Sequence, residues 1–123
     1  MKKPAYQKSI LASDTLYTSG QLAIGKNGEL VGENNIQEQT KQALTNLKQV
    51  LAEKDFKLEH ITSVTIFLQD IQNDFADMDV AYREFFQDMK PARATVEARL
   101  FKPEFLIEIV AVAAKLADNR VYE

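Results

Sequence analysis

The sequence contains no cysteine, and this absence removes three kinds of chemistry at once. Disulfides, thiolate metal sites and a cysteine nucleophile are all excluded, while a reducing compartment is permitted rather than proved. Histidine is almost as scarce, because His60 is the only one. It has no partner histidine or cysteine, so we predict neither a metal site nor a histidine-based catalytic triad.

The chain also lacks an excess of positive charge and any long apolar run. Fifteen basic residues stand against eighteen acidic ones, which gives a formal net charge of −3. Nucleic acids and anionic membranes attract proteins through clustered positive charge, so we expect neither as a partner. The N-terminus has no apolar signal core, and no apolar run approaches membrane-spanning length, so we expect a cytoplasmic protein.

What the chain does contain is enough apolar surface for one compact core. It has 123 residues, of which 46% are hydrophobic. This size predicts a single domain over residues 1–123. Residues 116–123 lack clear periodicity, and they are either a frayed tail or an arm that reaches a neighbouring chain.

Hydrophobic periodicity predicts strands first and then helices alternating with strands. Helix one is expected from Ile36 to Lys54, capped by Asn35 with Glu38 as a capping-box acid. Helix two is expected to follow Asn73–Asp74 and to stop at Lys90–Pro91, because proline disfavours helical geometry in the residue before it. Strands are expected at residues 9–12, 15–20, 63–68, 93–100 and 105–115, with a weaker one near Leu30–Val31, in the order βββαβαββ.

This order predicts an α+β architecture in which both helices pack on one face of a small sheet. In the last strand, the side chains on both sides are mostly apolar, so both faces look buried. The face without helices would then need another subunit. Homo-oligomerisation through that face is the simplest explanation of the pattern.

Glu108 is the one charge inside this apolar last strand. An unpaired charge is costly to bury, so Glu108 needs a partner, a wet cavity or a chemical role. Arg93 is the candidate for the second charge of such a cavity. Two structural alternatives stay open: Arg93 pairs with Glu97 on its own strand, or Glu108 is an interface carboxylate bonded to backbone.

Several segments in a fixed order resemble one protein family. They are Tyr6, Thr18–Gln21, the helix-one stretch Glu38–Lys48, Asn73–Phe75 with Tyr82, Phe85 and Phe86, then Pro91–Arg93 and Ile107–Ile109. Together they resemble the RidA family of reactive intermediate deaminases, also called YjgF, over roughly residues 4–115. The resemblance implies a chorismate-mutase-like fold, a homotrimer whose sheets form a barrel, and clefts between subunits. It also implies a cofactor-free enzyme that hydrolyses enamines and imines to 2-keto acids and ammonia.

Site residues follow from the resemblance and fit the chemistry. Arg93 would clamp the substrate carboxylate through two parallel hydrogen bonds. Glu108 would orient the attacking water and exchange protons with it. Tyr6, Ser19, Gly20 and Thr95 would complete substrate binding, with a backbone that glycine lets the ligand approach closely.

Four positions depart from the family pattern and put the substrate range in doubt. Ala5 replaces a proline, Thr95 a frequent cysteine, Val110 a second glutamate and Asp79 a frequent asparagine. A second acid beside Glu108 would raise a carboxylate pKa or repel an anionic substrate. The alternative function is a module that binds small 2-keto acids without catalysis. An RNA-directed activity is disfavoured, because the chain has no basic aromatic stripe.

Overall fold

A computed structural model describes residues 3–115, which form one five-stranded mixed sheet and two α-helices. The strands lie in the order β1-β2-β5-β3-β4. The β3–β4 pair is parallel, and β1–β2, β2–β5 and β3–β5 are antiparallel. The strand bounds are β1 Ser9–Ala12, β2 Thr15–Thr18, β3 Ile61–Leu68, β4 Ala92–Glu97 and β5 Ile107–Ala114.

Both helices pack on the same face of this sheet. Helix α1 spans Ile36–Ala52 and helix α2 spans Ile71–Phe86, with a short 3₁₀ turn at Leu58–His60. Apolar side chains recur on the inner face of α1 at helical spacing, and they meet the alternate apolar residues of β5 and β2 in one core. The predicted α+β architecture is therefore confirmed.

The N-terminal cap of α1 is where the sequence predicts it, whereas both ends of α2 differ from the prediction. Asn35 caps α1 as predicted, because its side chain accepts from the Glu38 N–H at 3.0 Å. Helix α2 begins earlier than predicted, because Asp70 caps it by accepting from the Asn73 N–H. It also ends before Pro91, since Gln87 has φ 55° and leaves helical geometry there.

Two of the predicted strands differ most from the structure, while β2, β3 and β5 differ from their predicted bounds by at most two residues at either end. The weak strand near Leu30–Val31 is wrong: the segment after β2 makes only the isolated bridges Gln21–Ile109 and Ile24–Leu30. Strand β4 stops at Glu97 rather than Leu100. The order within residues 3–115 is thus ββαβαββ, apart from the 3₁₀ turn.

Strand β5 has two unlike sides. Ile107, Ile109, Ala111 and Ala113 face the helices and are at most 1% exposed. Glu108, Val110 and Val112 point to the other face, where they are only partly covered, whereas Leu106, predicted on that side, precedes β5 and packs against the core. We call that side the open face; the predicted burial of both sides does not hold within one chain, and the trimeric barrel stays a prediction.

Two further sequence predictions concern the ends and the membrane. The tail predicted at residues 116–123 lies outside the described residues. Among the described residues, neither helix has the length and apolar character needed to cross a bilayer.

Candidate active site

Glu108 lies on the open face, where it pairs in register with Phe67 of β3. Gly20 lies directly against it: a Cβ at position 20 would stand 2.7 Å from the carboxyl carbon of Glu108. Backbone hydrogen bonds between Gln21 and Ile109, of 2.8 and 3.0 Å, hold the two segments in this arrangement. The close approach therefore requires a residue without a side chain at position 20.

The Glu108 carboxylate has no counter-charge in the described part of the chain. No side chain among residues 3–115 donates a hydrogen bond to it or forms an ion pair with it. Burial raises the pKa of Glu108 above the ordinary value of 4.5. A carboxyl group whose pKa is raised holds a proton more readily than an ordinary one, as an acid/base group must.

Tyr6, Ser19 and Gly20 line a cleft of about 870 Å³ between the N-terminal segment, the loop after β2 and helix α1. The Ser19 hydroxyl donates to the Gln7 carbonyl at 2.5 Å, so its oxygen keeps an accepting lone pair. Tyr6 lines the cleft while 68% of its surface stays exposed. The structure thus brings three of the predicted binding residues together.

The same cleft contains two polar residues that the sequence analysis did not assign to the site. The Asn46 amide donates to the carbonyls of Leu22 and Ile24 at 3.0 and 2.8 Å, and Gln42 donates to Asn46 at 2.8 Å. Both side chains lie within the Glu38–Lys48 stretch used for the family resemblance. The sequence signal that could have identified them is a pair of amide side chains at positions i and i+4 of an otherwise amphipathic helix.

Arg93 lies on the other side of the sheet, at its β4 edge. It pairs in register with Val64, whose side chain is buried under the helices. Its Nη1 atom is 2.7 Å from Oδ1 of Asp79 on α2, and its guanidinium lies 4.6 Å from the centre of the Tyr82 ring. The alternative pairing of Arg93 with Glu97 is therefore wrong; Glu97 instead accepts from the Ile71 N–H.

Asp79 is shared between two arginines. Its Oδ2 atom accepts from Nε of Arg83 at 2.8 Å, while Oδ1 accepts from Arg93. Burial alone would raise the pKa of Asp79, but the hydrogen bonds from Arg83 and Arg93 outweigh it and hold the pKa below 3.8. Within one chain Asp79 is consequently a partner of Arg93 and not the second acid beside Glu108 that was considered from the sequence.

The space around Arg93 is a second, smaller pocket of about 290 Å³. The ends of α2 and β4 line it: Asp79, Tyr82, Arg83, Phe86, Gln87, Met89, Lys90, Pro91 and Arg93. Thr95 points to the same side of β4 as Arg93, because it pairs with the buried Ile66 of β3. The structure therefore groups Arg93 with Thr95, away from the first cleft.

The two predicted catalytic residues consequently point to opposite faces of the sheet. Val64, the register partner of Arg93, is buried under the helices, whereas Phe67, the partner of Glu108, faces the open side. Side chains alternate between the faces of a strand, so no rotamer change brings the two groups into one cavity. A site that uses both must take them from two chains.

His60 has a structural role. Its Nδ1 accepts from the Lys57 N–H at 2.8 Å, and its ring meets Phe56 edge-on. Within residues 3–115 no three metal-ligating side chains form a cluster.

The chain has an α+β fold with two helices on one face of a mixed sheet, an open face that is partly apolar, and the side chains of Arg93 and Glu108 on opposite faces. The chain belongs to the family described as Endoribonuclease L-PSP, whose model matches residues 2–115. The solved structure of YyfA from Yersinia pestis, a member of the Rid protein family, is 34% identical, with a TM-score of 0.85 over 93% of this chain and 90% of that one. The resemblance to the Rid family is confirmed.

Curated relatives agree on the family and differ in how specific their names are. The RutC family protein PH0854 of Pyrococcus horikoshii is 40% identical over 111 residues, 89% of this chain and 86% of that protein. The 2-iminobutanoate/2-iminopropanoate deaminase of Bos taurus is 33% identical over 89% of this chain and 80% of its own.

Proposed function

We propose that this protein hydrolyses small 2-imino and 2-enamino acids, such as 2-aminoacrylate, to 2-keto acids and ammonia, without a cofactor. The observation that carries the proposal is the pair of charged groups on the framework of this family. Arg93 offers a positioned guanidinium, and Glu108 is a partly buried carboxyl without a counter-charge. The name of the bovine relative supports the same reaction class.

The reaction asks for two different groups. An enamine first becomes the imine by moving a proton to carbon, and water then adds to the C=N carbon. The resulting carbinolamine loses ammonia and leaves the C=O of the keto acid. A guanidinium that holds the substrate carboxylate fixes the reactive carbon in place, and a carboxyl group that exchanges protons with water and nitrogen serves each later step.

The binding step suits Arg93 because its hydrogen bond to Asp79 uses Nη1. Nε and Nη2 form the edge of a guanidinium that receives a carboxylate through two parallel bonds. Thr95, on the same side of β4, adds a hydroxyl for the substrate.

The chemical step suits Glu108 because burial raises its pKa. Gly20 lies against it and supplies a close backbone, and Ser19, the preceding residue, offers an accepting hydroxyl oxygen in the neighbouring cleft.

The complete site is proposed to lie between two copies of the chain. Arg93 and Glu108 face opposite sides of the sheet, and the open face of β5 carries Val110 and Val112 beside Glu108. Covering this apolar face with a neighbouring chain would complete the core and bring a second set of half-sites against the first. We propose a homotrimer, with three such clefts.

The test is release of ammonia and keto acid when the purified protein is added to a dehydratase that generates 2-aminoacrylate. Wild-type protein is expected to accelerate release, and Arg93→Ala and Glu108→Gln are expected to abolish the acceleration. Arg99→Ala and Glu104→Gln are the matched controls, because both side chains are exposed and lie outside the two clefts. If a folded Arg93→Ala variant kept wild-type turnover, the proposed mechanism, in which Arg93 holds the substrate carboxylate, would be wrong.

Mixing the two inactive variants tests whether the site is shared. When Arg93→Ala and Glu108→Gln chains are co-refolded in equal amounts, about a quarter of the sites in a closed ring receive both native residues. Activity should then return to roughly that fraction. Recovery of none would place both groups in one chain's site and contradict the shared arrangement.

Two other outcomes would favour a different function. Binding of pyruvate without turnover of any imine would favour the keto-acid-binding module. Cleavage of RNA, the activity in the name of the endoribonuclease L-PSP family, would replace the proposal; the net charge of −3 gives no electrostatic support for RNA binding.

A further inference from the structure

We propose that Arg83 and Arg93, bridged by Asp79, form a two-point anion site that binds small 2-keto and 2-imino acids with two carboxylates more tightly than acids with one. The substrate class that follows is the dicarboxylic 2-imino acids, and Arg83 is the residue that determines this specificity. The turnover part of the inference rests on the proposed function, whereas its binding test does not.

The structure places two guanidinium groups on one carboxylate. Oδ1 of Asp79 accepts from Nη1 of Arg93 at 2.7 Å, and Oδ2 accepts from Nε of Arg83 at 2.8 Å. Because both bonds end on the same small group, the two guanidiniums lie side by side. Two positive charges meet one negative charge there, so the group of three keeps a net positive charge.

Each guanidinium keeps donors that the bridge does not use. With Nη1 of Arg93 engaged, Nε and Nη2 remain as the parallel pair that matches one carboxylate. Arg83 is bonded through Nε, so both of its terminal nitrogens remain for a second carboxylate. A ligand with two carboxylates can therefore be held at two points.

The pocket that these groups line is positively charged overall. Arg83, Lys90 and Arg93 stand against Asp79 alone, and the other acids near the end of α2 do not line it. A ligand with one carboxylate leaves part of this charge without a counter-ion. A ligand with two carboxylates compensates more of it, so the electrostatic attraction favours the dianion.

The two arginines lie at different depths in this pocket. The Arg93 side chain is 22% exposed and its guanidinium lies 4.6 Å from the centre of the Tyr82 ring, whereas the Arg83 side chain is 78% exposed. The carboxylate next to the reacting carbon would bind at Arg93, and the second carboxylate would reach Arg83 at the mouth. Because solvent screens an exposed cation, we expect a moderate gain in affinity from Arg83.

A simpler interpretation of Arg83 is that it only supports helix α2. Asp79 and Arg83 are four residues apart on that helix, and exposed pairs at this spacing contribute little to stability. A pair with this role alone would not distinguish one ligand from another. The ratio of affinities for two acids that differ only in the second carboxylate therefore separates the two interpretations.

The binding experiment compares 2-oxoglutarate with 2-oxohexanoate, in which an ethyl group replaces the second carboxylate, by calorimetry at one fixed ionic strength. Wild-type protein should bind 2-oxoglutarate more tightly. Arg83→Gln should reduce this preference by about fivefold or more, by weakening 2-oxoglutarate alone. Arg83→Lys should keep part of the preference, because it keeps the charge. Arg99→Gln is the matched control, since Arg99 is an exposed cation outside the pocket.

The turnover experiment generates the two kinds of imine in place with amino-acid oxidases, from glutamate for the dicarboxylate and from norleucine for the monocarboxylate. Hydrolysis is followed as the loss of imine available to semicarbazide. Arg83→Gln should lower kcat/KM for the dicarboxylic imine, mainly through KM, and leave the monocarboxylic imine unchanged. Arg99→Gln should match wild type with both.

The two experiments fail in distinguishable ways. If wild type prefers 2-oxoglutarate through Arg83 but hydrolyses no imine, the proposed function fails while the two-point anion site stands. Equal affinity of wild type for the two acids would overturn the inference. So would an unchanged ratio in Arg83→Gln, an equal loss for both acids, or failure of wild type to bind either one.

Discussion

Within one chain, the two faces of the central sheet differ in how fully their side chains are buried and paired. On the helix side, the alternate residues of β5 are buried and the charged Arg93 already has its partner Asp79. On the open side, Val110 and Val112 are only partly covered and Glu108 has no charged partner among residues 3–115. One chain therefore already supplies the partner of Arg93, the proposed substrate clamp, while the surroundings of Glu108, the proposed acid/base, depend on what covers the open face.

The largest expected effect compares neighbouring residues of β5 that point to opposite sides. Ile109 is fully buried under the helices, so Ile109→Ala should lower the free energy of unfolding by about 2–5 kcal/mol, through lost transfer energy and a cavity. Val110→Ala removes less from a side chain that one chain leaves partly exposed. Urea unfolding of both variants measures the difference.

Protein concentration separates the two sides further. The loss in Ile109→Ala should be independent of concentration, because its contacts lie within the chain. The loss in Val110→Ala should grow with concentration if a second copy covers the open face. Equal, concentration-independent losses in both variants would contradict the contrast between the two sides.

Gly20→Ala tests the open side at Glu108. The added methyl group would occupy the place of the Glu108 carboxyl, which is the end of a flexible side chain and can rotate away. We therefore expect a small loss of stability and a loss in turnover of about 10- to 100-fold, because the acid/base is misplaced.

Gly28→Ala is the matched control for that variant. No atom lies within 4 Å of a Cβ at position 28, but Gly28 has φ +81°, which strains any other residue. It should lose about 1 kcal/mol of stability and keep its turnover. If Gly20→Ala kept full turnover, the working position of the Glu108 carboxyl would not depend on glycine at position 20.

The two carboxyls of the candidate site should respond to pH in opposite ways. Hydrogen bonds lower the pKa of Asp79, so its contribution to stability is present above pH 3.8 and is lost as the pH falls through the lowered value. Burial raises the pKa of Glu108, so stability falls as the pH rises from 4.5 through the raised value. Relative to wild type, Glu108→Gln should gain stability toward pH 7, and Asp79→Asn should lose it; unfolding curves that stay parallel from pH 3 to pH 7 would contradict both.

The sequence predicts more of the fold than of the site, for physical reasons. The α1 cap at Asn35 and the alternation in β5 depend on neighbouring residues, and both are found in the structure. The predicted end of α2 is wrong because the helix ends where Gln87 adopts a positive φ. The proline at position 91, on which the prediction rested, gives no indication of that conformation. The Asp79–Arg93 pair joins residues 14 apart on a helix and an edge strand, and such a contact depends on tertiary packing that no local pattern shows.

The smallest expected effect concerns the floor of the clamp. Tyr82 is 7% exposed, and its hydroxyl has no hydrogen-bond partner among the described residues. A buried hydroxyl in this state contributes little, and burial raises the pKa of Tyr82 to about 12. Tyr82→Phe keeps the ring under Arg93, so unfolding should change by less than about 1 kcal/mol, toward greater stability.

Tyr82→Leu gives the contrast, because it removes the ring that lies 4.6 Å from the guanidinium of Arg93. It should cost about 1–3 kcal/mol and raise KM for the imine, since Arg93 then gains rotamers. A loss above about 1 kcal/mol in Tyr82→Phe would mean that the hydroxyl does have a partner, supplied from outside residues 3–115. The helix side would then be no more complete within one chain than the open side that holds Glu108.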